Sequence, residues 1–222
     1  MAMDAPTAMH TDTAVLTLAQ WFSPAYPIGA FGYSHGLEAA VERGLKGTAA
    51  LQDWISDVLE HGSGRADATF LAAAYLAHTP DALHEIDAAA RAFAPSRERL
   101  LETDKQGTAF CQITADVFGE DLSALTYPVA VGIAAQRNAL PQTLTAQLYL
   151  HAFTSNLVAC AQRLIGLGQT EAQAIIRALA PLCIQIANDT QHGDLAMLSS
   201  TAFRADIASM HHETQYSRIF RT

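Results

Sequence analysis

Residues 148–167 read LYLHAFTSNLVACAQRLIGL. Leu150, Phe153, Leu157, Cys160, Leu164 and Leu167 recur at alternating steps of three and four, the period of one helix face. Leu148, Ala152, Ser155 and Ala159 fill the adjoining face, so the apolar arc is wide and rich in small residues. Ala and Ser let neighbouring backbones approach closely, so such a helix is contacted from several sides. The stretch predicts a central helix in an all-helical core.

The same period continues on both sides. Leu51, Trp54, Ile55, Val58 and Leu59 predict one amphipathic helix, and Leu100, Thr103, Gly107, Phe110, Thr114 and Val117 another. Ile175, Leu179, Leu182 and Ile186 form a further stripe, interrupted at Pro181, where a kink or a boundary between two helices is expected. Pro24 and Pro27 close the first helix, Gly62 and Gly64 the third, and Thr79-Pro80-Asp81 separates two alanine-rich segments. Gly119-Glu120-Asp121 and Asn138 to Pro141 mark further connections. Tyr127 to Ile133 is the one passage where a strand competes, and its alanines favour helix. The expected fold is all-α: a single helical-bundle domain of about eight to ten helices over residues 1–222. Residues 1–12 are expected to be a flexible N-terminus and residues 205–222 a C-terminal partner-docking tail.

Composition narrows the function. Thirteen Lys and Arg against 22 Asp and Glu leave a net charge of −9, with no basic run. That excludes the electrostatic footprint of a nucleic-acid binder and any pull toward anionic lipid. Cys111, Cys160 and Cys183 form no CxxC pair and read as reduced, buried thiols. The first apolar stretch is preceded by acids and lacks Lys and Arg, and no apolar run approaches a membrane span. A cytoplasmic location is expected.

Catalytic signatures are missing. Gly44-Leu45-Lys46-Gly47-Thr48 has the wrong order and spacing for a phosphate loop, and GxSxG, HExxH and GxGxxG do not occur. Two stretches stand out instead. Ser23 to Glu38 packs two prolines, three glycines and several aromatics into one rigid connection, with Ser34 placed to cap the following helix. Within it Pro27, Gly29, Phe31, Tyr33, Ser34, His35, Gly36 and Glu38 are the candidate fold or interface residues. The reading leaves a packed corner and a functional surface equally open. The second stretch is Ser209 to Thr222, whose Tyr, Arg and Phe are residue types favoured at binding hot spots. It docks on its own core or on a partner. His212, Glu213, Gln215, Tyr216, Ser217, Arg218, Phe220 and Arg221 are the expected partner-binding residues. His211, His212 and Glu213 carry metal-capable donors, but neighbours on a helix point about 100° apart and cannot share one ion. An α-helical metal-dependent enzyme using them with Asp206 is the alternative; the Glu-x-x-His pair of helical di-metal sites does not occur.

These stretches carry a resemblance. PIGAFGYSHGLE at Pro27 to Glu38 and SMHHETQYSRIFRT at Ser209 to Thr222 resemble the opening and closing signatures of the urease accessory protein F family. RLIGLGQTEAQ at Arg163 to Gln173 and YPVAVGIAA at Tyr127 to Ala135 are similar to two further segments of that family, in the same order. Gly166, Ala172, His211 and Tyr127 depart from its commonest residues. The resemblance implies an all-helical homodimer without catalytic residues or a tightly bound cofactor. It implies a scaffold and gating role in the GTP-dependent complex that inserts nickel into apo-urease, with nickel in transit. The implied partners are accessory protein D (H in some species), bound through the C-terminal region, and the GTPase accessory protein G.

Overall fold

The computed structural model describes residues 7–119, 122 and 124–222. Among these residues the chain forms ten α-helices, two short 3-10 turns and no strand. The helices are α1 (Thr7–Trp21), α2 (Leu37–Glu42), α3 (Thr48–His61), α4 (Ser63–Tyr75) and α5 (Pro80–Phe93), then α6 (Arg97–Phe118), α7 (Tyr127–Arg137), α8 (Gln142–Ile165), α9 (Gln169–Asp189) and α10 (Phe203–His212). The all-α expectation holds. Residues 1–6 of the stretch expected to be flexible lie outside the described residues, and from Thr7 the chain is in α1.

Helix α7 is the hub. Every residue from Tyr127 to Ala135 is buried, and α7 packs against α4, α5, α6 and α8. Glycine permits this closeness. A Cβ at Gly132 would stand 2.3 Å from the Leu71 carbonyl oxygen in α4. One at Gly107 in α6 would stand 2.0 Å from that of Leu125, just before α7. The start of α7 is tied from a distance, because Asp87 in α5 accepts hydrogen bonds from the Thr126 backbone (2.7 Å) and hydroxyl (2.9 Å). That carboxylate meets orphan donors at a helix entrance, the task usually given to a local cap.

Sequence periodicity is right for α3, whose buried face is Leu51, Trp54, Ile55, Val58 and Leu59. Elsewhere the structure departs from it. Pro181 does not break its helix: α9 runs through it, and Pro181 and Arg177 both lie on the exposed side, where water can serve the freed carbonyl. Gly64 sits inside α4, so the break after α3 belongs to Gly62 alone. Gly119 ends α6 at φ +73°, while Glu120 and Asp121 of the expected turn lie outside the described residues. Val117 and Leu101 in α6 are exposed, whereas Glu98, Arg99 and Glu102 are buried. Those charges are covered by the end of the chain.

Candidate functional site

The proline–glycine loop and the C-terminal tail meet. Helix α10 lies across α2 and α6, and the chain then runs back over the loop that precedes α2. Arg221 N–H donates to the Gly32 carbonyl at 2.8 Å. The Thr222 carbonyl oxygen accepts from both the backbone N–H and the hydroxyl of Ser34. Gly36 makes the crossing possible: it stands at φ +78°, and a Cβ there would meet the Ser209 backbone nitrogen of α10 at 2.8 Å. Gly36, not Ser34, occupies the cap position of α2; the Ser34 hydroxyl reaches past it to accept from Glu38 N–H at 3.3 Å.

Buried charge holds this junction. Glu38 accepts from the backbone N–H groups of Ile219 (2.7 Å) and Phe220 (2.9 Å). The His212 ring lies fully buried between two carboxylates, Nδ1 at 2.6 Å from Glu98 and Nε2 at 3.3 Å from Glu38. Arg218 donates to the other Glu98 oxygen at 2.7 Å, and Thr222 donates its hydroxyl to Glu102 at 2.9 Å. Arg99 forms an ion pair with Glu102. Burial pushes the Glu102 carboxyl upward, yet Arg99 and His35 together outweigh it and hold the group at about 2. Burial, aided by Arg99, depresses the His35 ring to about 4, so that ring is neutral at physiological pH. Its Nε2 meets the Ser63 hydroxyl at 2.9 Å, and its backbone takes the left-handed φ of +58°. Hydrogen bonds to charged groups contribute about 1.5–3 kcal/mol each, so the tail is firmly docked.

This corrects part of the sequence expectation. His212 and Phe220 present no surface to a partner: both face inward, and the Arg163 guanidinium stands 4.3 Å from the centroid of the Phe220 ring. Arg218 and Glu213 face their own chain through Glu98 and Arg97. Gln215 donates to the nearby Ser217 carbonyl. Tyr216 is fully exposed, and the side chains of Ser217 and Arg221 also lie on the exposed side. In the loop, Tyr33, Ser34, His35, Gly36 and Glu38 are buried, while Pro27 and Phe31 are exposed and Gly29, at φ +73°, has open space beside it. His211, His212 and Glu213 diverge, with His211 exposed and the other two engaged on different neighbours. Glu38 and Glu98 flank opposite edges of the His212 ring, so they cannot join it around one ion. No metal-type cluster of three such residues occurs among the described residues. Sequence reading missed Glu98, Arg99 and Glu102. Their only signal was the spacing of Glu98 and Glu102 on one helix face, which ordinarily marks a solvated side.

A family model described as UreF matches residues 45–180. A urease accessory protein UreF from Ruegeria pomeroyi is 56% identical over 216 residues, covering 97% of this chain and all of that protein. Proteins of the same name from Roseobacter denitrificans (52% identical, 96% of each chain) and Rhodopseudomonas palustris (42%, 98% of this chain and 95% of that one) are similar over nearly the whole length.

Proposed function

Since this chain belongs to the UreF family and is related throughout to urease accessory proteins, we propose that it is the scaffold and gating component of the GTP-dependent complex that inserts nickel into apo-urease. In this reading it works in the cytoplasm as a homodimer without chemistry of its own. It binds accessory protein D through its C-terminal region and, with D, recruits the GTPase accessory protein G.

The observation that carries this reading is the two-sidedness of the C-terminal region. Its inner side is anchored by His212, Phe220 and Thr222. Its outer side presents Phe203, Ile207 and Met210 along one stripe of α10, exposed by 65%, 52% and 51%, followed by fully exposed Tyr216. Apolar side chains held outward on a rigid base form a pre-organised docking surface, because little conformational freedom remains to be lost on binding. Among the described residues no helix is long and apolar enough to cross a membrane, so this face is not half of a span.

The test is complementation. A urease-positive host deleted for its own F protein regains nickel-loaded, active urease when this chain is supplied. A double substitution of Ile207 and Met210 to Ser reduces urease nickel content and co-purification of D together. Normal nickel loading by that variant overturns the docking assignment.

A further inference from the structure

Beside the tail junction lies a cavity of about 360 Å³, lined by the loop after α1 and by residues of α8. Its walls are aromatic: Trp21, Phe22, Tyr26, Tyr127, Tyr149 and Phe153. Its lining also includes three charged side chains, Asp67, Arg99 and Glu102. Two of these neutralise each other, since Arg99 pairs with Glu102. Asp67 is left over. Its hydrogen bond comes from the Tyr149 hydroxyl at 2.8 Å, and among the described residues no cationic side chain forms an ion pair with it.

We propose that the cavity is a binding site for a small organic cation, a primary ammonium carried on an aromatic or alkyl body. The ring faces favour both the apolar body and the positive charge beside it. The Asp67 carboxylate supplies the counter-charge and a second acceptor oxygen that Tyr149 does not occupy. The size suits the ligand, at the lower end of the range of small-molecule pockets. Burial raises the Asp67 carboxyl to about 6, against the lowering pull of Arg99 and of the Tyr149 hydroxyl, as expected for a carboxylate taken out of water. A neutral ligand leaves that charge unanswered.

The experiment is calorimetric titration of the full-length protein at pH 7.5 with 2-phenylethylammonium, and with 2-phenylethanol as its neutral counterpart. The ammonium binds about tenfold or more tightly than the alcohol, the factor that one charge-assisted hydrogen bond supplies. Asp67→Asn abolishes that preference while alcohol binding persists. Should Asp67→Asn fold poorly, amide chemical shifts of the wild-type protein take its place: perturbations on adding the ammonium centre on Asp67 and Tyr149. Equal affinity for the two probes, no binding at millimolar ammonium, a preference retained by Asp67→Asn, or perturbations centred elsewhere each overturn the proposal.

Discussion

Ser34 holds the carbonyl oxygen of Thr222 with both its backbone N–H and its hydroxyl, joining residues 188 positions apart. Neither side chain is exposed to water. The opening loop and the closing tail are thus one structure, and most of the tail's chemistry faces inward.

Glu38 is the centre of that structure. Glu38→Ala strips the acceptors from the Ile219 and Phe220 N–H groups and removes one carboxylate from His212. Breaking a buried charged contact from one side costs about 3–5 kcal/mol. Urea unfolding should show a loss approaching that range, limited by release of the tail alone. Trypsin should cut after Arg218 faster in the variant; unchanged cleavage would show that Glu38 does not hold the tail.

Two aromatic residues of the tail should separate folding from binding. Phe220→Ala empties a buried site under Arg163 and should lower stability by up to about 3 kcal/mol. Tyr216→Ala touches nothing buried, so its melting temperature should match wild type. Its affinity for accessory protein D should fall by about one decade if the ring is an interface anchor. A destabilised Tyr216→Ala would mean that this ring packs on its own chain.

Alanine at three loop glycines should rank by geometry. Gly36→Ala combines φ +78° with a Cβ 2.8 Å from the Ser209 nitrogen and should be the most damaging, at about 3 kcal/mol. Gly29→Ala meets only the left-handed backbone at φ +73° and should cost about 1–2 kcal/mol. Gly32→Ala finds an ordinary contact at 3.8 Å from Arg221 and should be near neutral. Thermal melts decide the order, and equal midpoints for Gly36→Ala and Gly32→Ala would refute the close crossing with α10.

Acid stability should expose the buried charges. The His35 ring, depressed from 6.5 to about 4, contributes stability that is complete above pH 6.5 and is lost as pH falls toward 4. Glu102, lowered from 4.5 to about 2, contributes stability present above 4.5 and lost toward 2. Asp67, raised from 3.8 to about 6, acts oppositely: its cost grows as pH rises from 3.8 to 6. Between pH 4 and 6 His35 and Asp67 oppose each other. Asp67→Asn should therefore steepen the rise of unfolding free energy with pH over that window, measured by urea titration at half-unit intervals. An identical slope would show that Asp67 titrates as an ordinary carboxylate.

The legible and illegible parts of this protein differ in kind. The face of α3 and the helical character of Tyr127–Arg137 follow from local spacing and alanine content, so they could be read directly. The importance of residues 27–38 and 209–222 was readable from their residue types, but their mutual contact was not. Glu102 shows why. Apolar periodicity puts the charged side of α6 in water, whereas Thr222, 120 positions later, returns to cover it. Leu101 next to it is exposed. Burial of charge depends on a distant partner, and no local pattern records that partner.

The bond between Ser34 and Thr222 also sets a timetable. At about 5–20 residues per second, a ribosome adds the 188 intervening positions in about 10–40 s. Glu38, Glu98 and Glu102, each once it has been made, wait without their later cover until the tail is added. The hub at α7 is synthesised well before the tail, so the helical core can assemble on the nascent chain while its last seam stays open. The outward stripe of α10 and the seam beneath it are therefore completed only once residues 203–222 have been translated.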